Sequence, residues 1–474
     1  MKGIILLIIL SFSISGCSLI PKIEKNNITQ ISDIKLEESN QKLIFSNEKW
    51  WTIYNDSSLN KLMDLILKSN EDLSIANLNI EKADKAISLI SSQKGPTVDL
   101  IGNARREKLA EHGTVPPPFN GLIEDVGYLG LQADYEIDIF NRIKSLSQEA
   151  EYKKQALELN SKWIEMNISS KTARLYFYWI YLLKENEILS EEKIKINELK
   201  NLEQIKFAIG NGIEDDVLKA ENSLRQINAL IEENILNQNL TVNNLNLLSG
   251  NKYKEEIQEL LNSVSKETTL EVAAPDSVIS DVIVNRPDVA YYLAMIKAQE
   301  KHLKSAKADF YPRFSITGKY GFDSVEFNDV LKRSSLAGFI GGSLYLPIFH
   351  MGEIRTNYKI AGIDLNIFIE EYNKAVVNAY TDVNNELYKT KTAKSNLEKS
   401  DKNLLNERNI FENNKKRYDI GSISKLQYTA DSINWLNSKL ENEKYHFNFI
   451  VQQLNLINSF GGTYNNLGGE NGAN

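Results

Sequence analysis

The residue types that most often carry out chemistry in proteins are few and scattered in this chain. Among 474 residues there are four histidines and one cysteine. None of the histidines has a second histidine three or four positions away, as a metal-binding helix requires; they are His112, His302, His350 and His446. The chain also contains neither a Gly-rich phosphate loop nor a Gly-x-Ser-x-Gly elbow. We therefore expect surface or interface positions for the histidines, and no enzyme activity, metal centre or cofactor.

The single cysteine, Cys17, is placed where it could form a covalent bond to lipid. Lys2, an apolar run at 4–10 and small residues ending in Gly16 form the pattern of a secretory signal peptide over residues 1–16. A cysteine directly after such a segment resembles the bacterial lipobox, in which the cysteine is lipidated and becomes the first residue of the mature chain. Ser18 follows it instead of an aspartate, which by enterobacterial sorting rules favours the outer membrane.

The composition excludes one class of partner and one kind of membrane segment. The formal net charge is −8 and the pI is about 5.4, so no surplus of positive charge exists to neutralise nucleic-acid phosphates. The mean hydropathy is −0.34, and no apolar run reaches the length of about 18 residues that a membrane-spanning helix needs. If the chain crosses a bilayer, it must therefore do so as strands closed into a barrel.

Two copies of one pattern make up most of the mature sequence. Aligning Pro96 with Pro312 places two similar helices before the proline and two similar strands after it. Both copies end in the same Leu-Asn-Leu word, at 245–247 and at 454–456. An internal repeat of this length indicates a pseudo-symmetric architecture.

Each copy is predicted to contain a helix, a strand hairpin, a very long helix and a second helix. In the first copy, residues 70–250, the last three elements span 97–139, 141–209 and 214–249. In the second copy, residues 286–460, they span 313–347, 353–419 and 423–459. We interpret 17–69 as a lipid anchor with an N-terminal equatorial segment, 251–285 as a second equatorial segment, and 461–474 as a disordered tail.

The predicted strands alternate between apolar and polar residues. In the second strand, apolar side chains from Leu129 to Ile139 face one way, and Asp134, Glu136 and Asp138 face the other. An apolar outer face and a polar inner face are typical of a lipid-facing barrel strand, although a soluble sandwich with one wet face gives the same alternation. Four strands cannot close a barrel, so a barrel requires several copies of the chain. The three inward carboxylates would then form an acidic ring that favours cations. The alternative is that Glu136 or Asp138 makes a structural contact at the bend from strand to helix.

The predicted long helices carry a seven-residue repeat that is almost entirely apolar. Every seventh residue fits from Val376 to Tyr418, and the spacing returns from Leu426 to Leu454. Such a repeat predicts coiled-coil packing. As one helix, residues 141–209 would be on the order of 100 Å long at about 1.5 Å per residue. This length suggests a device that spans a gap, since the alternative of a cytoskeletal rod does not account for the hairpins.

Together these motifs resemble the outer membrane factor family, the TolC-like efflux ducts, and especially its lipoprotein branch. The most specific words are Trp50-Trp51 with Asp56 and Leu59, Arg286-Pro287-Asp288-Val289, and Phe310-Tyr311-Pro312. The resemblance implies a mainly α-helical chain with four membrane strands. Three chains would form a trimeric 12-stranded outer-membrane barrel that continues into a periplasmic coiled-coil tunnel.

The resemblance also assigns the turns between the long helices to a closed periplasmic tip. The tip residues are Gly210, Asp216, Tyr418, Gly421, Gln427 and Asp431. In the family, a hydrogen bond between neighbouring helix pairs holds the tip shut, and it corresponds here to the Asp216 carboxylate and the Tyr418 phenol. The alternative is that Asp216 is a carboxylate at a helix N-terminus and Tyr418 a packing residue. The chain departs from the family pattern at Gln427, where an aspartate is common, although Asp431 lies nearby.

By the same resemblance, the chain would be the exit channel of a tripartite efflux system, through which small molecules or drugs pass passively. Its expected partners are two further copies in a homotrimer, a periplasmic adaptor (membrane fusion) protein, an inner-membrane pump and outer-membrane lipid, with no nucleic acid. It would be lipid-anchored in the outer membrane, with its tunnel in the periplasm. The alternative is the outer-membrane duct of a type I protein or peptide secretion system.

We predict that Cys17 is the lipidated first residue of the mature protein, because the Ile-Ser-Gly-Cys ending follows an otherwise ordinary signal. Metabolic labelling with palmitate should mark the wild-type protein and leave Cys17→Ala unlabelled. Equal labelling of both proteins would contradict the prediction.

Overall fold

The structure, a computed structural model, describes residues 20–29, 49–265, 283 and 286–462, so Cys17 and residues 463–474 lie outside the described residues. In chain order the main elements are α1 (Ser57–Ser69), α2 (Glu71–Ser92), β1 (Thr97–Lys108), β2 (Ile123–Ile137), α3 (Arg142–Ala208), α4 (Glu214–Leu248), α5 (Lys254–Asn262), α6 (Pro287–Ala308), β3 (Arg313–Ser324), β4 (Leu336–Tyr345), α7 (Glu353–Asp419) and α8 (Lys425–Ser459). Short 3₁₀ turns occupy Trp50–Tyr54, Phe327–Asp329 and Arg333–Ser335. No helix in the described ranges is both long and apolar enough to cross a membrane.

The internal repeat is visible in the lengths of the elements. Helices α2 and α6 have 22 residues each, and strands β1 and β3 have 12 each. Helices α3 and α7 have 67 residues each, and α4 and α8 have 35 each. Only the returning strands differ, with 15 residues in β2 and 10 in β4. The predicted repeat of helix, hairpin, long helix and second helix is therefore confirmed.

The helix ends correct one detail of the sequence alignment. The residue that caps α4 donates its backbone N–H to the carbonyl of Leu245, and the residue that caps α8 donates to the carbonyl of Leu456. Leu245 thus corresponds to Leu456, whereas the Leu-Asn-Leu words had matched it with Leu454. The two motifs are not equivalent in burial either, because Leu247 is 64% exposed whereas Leu454 and Leu456 are both buried.

The four strands form one antiparallel sheet in the order β1-β2-β3-β4. The register places apolar residues opposite apolar residues, as in Leu131 opposite Leu100 on β1 and Tyr320 on β3. The same register places Asp134 opposite Thr317. One face of the sheet is therefore apolar across all four strands, and its side chains are exposed, to 72% at Leu100 and 81% at Ile340.

The compact units of the fold do not follow the two sequence copies. A sheet unit comprises the described parts of 1–28, 78–158 and 291–373, and a helical unit comprises the described parts of 29–77, 159–290 and 374–474. Each unit takes residues from both copies. In the sheet unit the reason is hydrogen bonding, because β2 of the first copy pairs with β3 of the second. The copies are therefore repeats of sequence and not separate domains.

The Trp-Trp word begins the core of the helical unit. Trp50 and Trp51 are buried, and the indole N–H of Trp50 donates a hydrogen bond to the Ser169 hydroxyl at 3.0 Å. Asp56 caps α1 by accepting two backbone N–H groups of its first turn, and its other oxygen accepts from the Tyr176 hydroxyl at 2.6 Å. The capped helix buries four large apolar side chains completely, each worth about 1.5–3 kcal/mol: Leu59, Leu62, Met63 and Ile66.

Arg286 joins the beginning of α6 to the end of α8. Its buried guanidinium donates two parallel hydrogen bonds to Asp288 at 3.1 and 2.8 Å and a third to the Ser459 carbonyl at 3.0 Å. It also lies over the ring of Trp163, 5.5 Å from the ring centre. A lysine cannot reproduce this forked and stacked geometry. Pro287 suits the first position of the helix, where no N–H is needed, so each residue of the Arg-Pro-Asp word has a structural role.

A charged cluster joins α3 to α6 within the sheet unit. The buried Glu149 carboxylate lies 3.0 Å from His302 Nδ1 and accepts a hydrogen bond from Lys153 Nζ at 2.6 Å. Burial alone would raise the pKa of Glu149, but the hydrogen bonds from His302 and Lys153 outweigh it and lower that pKa. The hydrogen bond to Glu149 raises the pKa of His302, against the opposing effect of burial. His302 is therefore a partly buried link between two helices.

We predict that this link makes stability depend on pH near neutrality. Because the pKa of His302 is raised on folding, its contribution is complete below the unfolded value of about 6.5 and is lost as the pH rises through the raised pKa. The thermal midpoint of the wild-type protein should fall more between about pH 6 and pH 9 than that of His302→Gln, which cannot be charged. His112→Gln, in the segment between β1 and β2, is the matched control and should follow the wild type. Identical pH profiles for all three proteins would contradict the prediction.

Candidate functional site

The two turns that the sequence assigns to the tip have the same backbone geometry. In each, the glycine N–H bonds to the carbonyl three residues back and the next N–H bonds to the carbonyl five residues back, at 2.7–2.9 Å. Gly210 and Gly421 have φ angles of +77° and +76°, which glycine adopts easily because it lacks a Cβ atom. Both long helices thus end in a Schellman motif, which satisfies carbonyls that would otherwise lack partners.

Asp216 lies in the first turn of α4, next to Glu214 and Asp215. Its carboxylate is 3.3 Å from Lys219 Nζ and 3.9 Å from Lys206 Nζ, which belongs to the last turn of α3. Negative charge is favourable at a helix N-terminus because the unpaired N–H groups there carry partial positive charge. Within the chain, Asp216 therefore stabilises the start of α4 and connects it to the end of α3.

Tyr418 begins an aromatic stack that joins α7 to α8 beside the second turn. Its ring lies 4.8 Å from that of Tyr428, with the two planes only 7° apart. Phe411 continues the stack between Tyr428, at 5.9 Å, and Trp435, at 6.1 Å. Stacked rings are worth about 0.5–1.5 kcal/mol per pair beyond the area that they bury. In the part of the chain that the structure describes, the Tyr418 hydroxyl has no hydrogen-bond partner.

Gln427 and Asp431 form one polar cluster near the start of α8. The Asp431 carboxylate accepts hydrogen bonds from Gln427 Nε2 and from Asn414 Nδ2 of α7, both at 2.9 Å. The Ser424 hydroxyl caps α8 by accepting from the Gln427 backbone N–H at 3.1 Å. An aspartate at position 427 would place a second carboxylate against Asp431, whereas the glutamine amide donates to it. The departure from the family pattern at Gln427 is therefore matched to Asp431.

The sequence did not indicate a charged link between the two helix pairs. Glu198 on α3 accepts from Lys425 Nζ on α8 at 2.7 Å and from Lys195 Nζ at 3.1 Å. The hydrogen bond from Lys425 lowers the pKa of Glu198, and the same bond raises the pKa of Lys425. Farther along the two helices, Lys184 pairs with Glu443 at 3.0 Å. Helices α3 and α8 are therefore neighbours within one chain, a pairing for which no local sequence pattern exists.

Of the three carboxylates predicted to form an acidic ring, two make structural contacts at the bend from sheet to helix. Asp134 lies on β2 as expected and accepts from the hydroxyl of Thr317, opposite it on β3, at 2.7 Å. Glu136 is also on β2, but Arg142, the first residue of α3, binds both of its carboxylate oxygens at 3.0 Å. The placement of Asp138 on the strand was wrong, since β2 ends at Ile137.

Asp138 instead caps the beginning of α3. Its two carboxylate oxygens accept from the backbone N–H groups of Ile143 at 3.1 Å and Lys144 at 2.8 Å. A carboxylate is favourable here because it satisfies unpaired N–H groups of the first turn and lies at the positive end of the helix dipole. The bend from sheet to helix therefore uses Asp138 for structure. Of the three carboxylates, Asp134 is the one that contacts neither Arg142 nor the first turn of α3, and it accepts hydrogen bonds from Thr317 and Gln132 instead.

Comparison with known proteins places this combination of sheet, long helices and turns. The sequence profile of the family described as "Outer membrane efflux protein" matches residues 62–251 and 278–462. The solvent efflux pump outer membrane protein SrpC of Pseudomonas putida is 26% identical over 426 residues, which cover 88% of this chain and 86% of SrpC. The probable efflux pump outer membrane protein TtgC of Pseudomonas putida is 22% identical over 479 residues, covering 97% and 96%. The outer membrane channel CmeC of Campylobacter jejuni superposes with a TM-score of 0.78 at 23% identity, over 95% of this chain and 96% of CmeC.

We predict that the Glu136–Arg142 pair sets the charge of the passage at the sheet-to-helix bend. Glu136→Gln leaves the guanidinium uncompensated and should shift ion preference toward Cl⁻, whereas Arg142→Gln leaves the carboxylate uncompensated and should shift it toward K⁺. Reversal potentials in planar bilayers under a KCl gradient measure both shifts. The two variants form a matched pair of opposite sign, so shifts in the same direction would contradict the prediction.

Proposed function

The chain belongs to the outer membrane efflux protein family and is the exit duct of a tripartite efflux system, and we propose that it works as a homotrimer that small apolar or drug-like molecules cross passively. The observation that carries the proposal is the sheet, whose two outer strands have no strand partner among the described residues and whose apolar face is exposed. Three copies would supply twelve strands and close the sheet into one barrel, which removes every open edge.

The long helices support the same assembly. Within one chain α3 and α8 are in contact, which leaves α4 and α7 as the outer helices of the four. These outer helices expose large apolar residues that a coiled-coil neighbour would cover. On α4 they include Leu218, Leu230, Leu236 and Leu240, and on the half of α7 nearer its end they include Tyr388, Leu405 and Ile410. In a trimer, α4 of one chain would pack against α7 of the next.

We infer the class of transported molecule from the similar proteins. The relatives named above are components of solvent and other efflux pumps, which favours small molecules over exported proteins. A type I secretion duct therefore remains the second choice. Passage through the channel is diffusive, and the energy comes from an inner-membrane pump through a periplasmic adaptor, both of which we propose as partners.

We propose that the mature chain is held at the outer membrane by a lipid on Cys17 as well as by its strands. The described residues nearest to Cys17 support this placement. Residues 20–28 belong to the sheet unit, where the Asn26 backbone N–H donates to the Asn366 side chain of α7 at 2.9 Å. The N-terminal segment is thus fixed on the same unit that carries the membrane strands.

We further propose that the tip closes through contacts between neighbouring chains at Asp216 and Tyr418. Among the described residues, the Tyr418 hydroxyl has no hydrogen-bond partner, and the Asp216 carboxylate forms ion pairs only with Lys206 and Lys219 of the same chain. A hydrogen bond to a charged acceptor contributes roughly 1.5–3 kcal/mol. Three such bonds would bias a closed state strongly, since moving an equilibrium from about 1:99 to 99:1 needs about 5.5 kcal/mol.

The double variant Tyr418→Phe with Asp216→Ala should therefore raise single-channel conductance in planar bilayers and make cells leaky to large antibiotics. Tyr428→Phe is the matched control, because it removes a hydroxyl from the same aromatic stack without touching the proposed lock. Unchanged conductance in a correctly inserted double variant would contradict the lock. Absence of any conductance from both the wild-type trimer and the correctly inserted double variant would contradict the duct itself.

A further inference from the structure

A cavity of about 510 Å³ lies where the N-terminal segment passes over α6 and α7 in the sheet unit. Its polar lining consists of Lys22, Lys25, Lys307, Tyr311 and Tyr358, and no carboxylate is among the described residues that line it. Its apolar lining includes Ile20, Ile23 and Leu365. The site is therefore basic and hydroxyl-bearing on one side and aliphatic on the other.

The wall that carries Lys22 is held in place by the fold. The Asn366 side chain of α7 accepts a hydrogen bond from the Asn26 backbone N–H and donates one to the Glu24 carbonyl, each at 2.9 Å. It thus pairs with the backbone of the extended segment as a neighbouring strand would. Gly362 lies directly under Ile23, because a Cβ atom there would come within 2.8 Å of the isoleucine side chain. The segment thus contacts α7 at two successive turns, at Gly362 and at Asn366, and these contacts fix the shape of the cavity.

Several donors in the cavity lack partners. Lys25 pairs with Glu300, but Lys22 and Lys307 have no carboxylate within ion-pair distance among the described residues. Tyr358 is 93% buried, since 7% of its surface is exposed, yet its hydroxyl makes no hydrogen bond to any described residue. Burial and the neighbouring Tyr311 raise the pKa of Tyr358, so the phenol stays a neutral donor at physiological pH. Two ammonium groups and a phenol are therefore available as donors to a negatively charged hydrogen-bond acceptor.

The position of the cavity indicates where the acceptor comes from. Tyr311 stands two residues before Arg313, the first residue of β3, and its ring stacks on that of Phe140 at 4.7 Å. Ile20 lies three residues after Cys17, a span of at most about 10 Å. If the strands and the lipid on Cys17 enter the membrane as proposed above, the cavity opens at the membrane surface that faces the periplasm.

We propose that this cavity binds an anionic glycerophospholipid of the outer membrane, with the phosphate at Lys22, Lys307 and Tyr358 and an acyl chain along Ile20, Ile23 and Leu365. The inference rests on the proposed placement of the strands in the membrane. Paired ammonium groups suit a phosphate, while the aliphatic wall suits an acyl chain and would be wasted on a free inorganic anion. Bound lipid would fix the N-terminal segment, α6 and α7 to one another.

The test is native mass spectrometry of the full-length, delipidated trimer titrated with dioleoyl phosphatidylglycerol. Wild type should retain up to three lipids per trimer. Lys22→Gln with Lys307→Gln should bind about a hundred-fold more weakly, because each of the two lost charged contacts is worth about ten-fold. Tyr358→Phe should weaken binding by a smaller factor. Lys304→Gln, on the same helix but outside the cavity lining, is the matched control and should bind as wild type.

Two further probes separate the ligand classes. Dioleoylglycerol, which lacks the phosphate, should not be retained, and inorganic phosphate alone should not raise the thermal midpoint of the trimer. Equal retention of phosphatidylglycerol by the double variant and wild type would overturn the site, and stabilisation by inorganic phosphate would overturn the lipid. Conductance of the same preparations is measured in parallel. A trimer that conducts once Tyr418→Phe and Asp216→Ala are introduced but retains no lipid refutes this inference alone, whereas a trimer that does not conduct even with these substitutions refutes the proposed function.

Discussion

A four-stranded antiparallel sheet leaves one row of backbone N–H and C=O groups without strand partners on each outer strand. Here those strands are β1, with 12 residues, and β4, with 10, and no other strand in the described chain covers either of them. Edges of this length promote uncontrolled pairing in water, and in lipid each unpaired group costs several kcal/mol. Because one face of the sheet is apolar and exposed, leaving that face in contact with water would be equally unfavourable. Edge must meet edge on another copy, and the placement of every helix that leaves the sheet depends on that closure.

The equal lengths of corresponding helices follow from the same requirement. Helices that alternate around a ring leave an end unpacked if their lengths differ, and the two copies match at 67 and at 35 residues. Both long helices also end in the same glycine motif, which places their turns alike. The copies differ in length at β2 and β4, where the chain returns to the sheet from a hairpin loop that needs no partner.

Most of the correct predictions from the sequence came from the periodicity of its apolar residues. Alternation by two located the strands and spacing by seven located the long helices, so the order of elements and the family were both correct. The roles of charged residues were less accessible. Asp138 had the right parity for a strand, but its short side chain forms a helix cap, and local capping outweighs strand alternation at the last residues. Glu198 and Lys425 meet only because the two helix pairs pack together, and nothing near either residue in the sequence indicates the other.

The twofold repeat also bears on how such a duct could have arisen and how reliably it assembles. A chain with one copy would bring two strands, so six separate chains would have to meet to close the same sheet. Fusing two copies makes half of those encounters intramolecular, at an effective concentration of about millimolar for a short connection, which no secreted subunit reaches in free solution. After fusion, the two copies no longer need to have identical sequences. One turn now carries a stack of aromatic rings and the other a cluster of opposite charges, so a sixfold ancestor with a single kind of turn would have become a threefold ring that offers two kinds of surface in alternation.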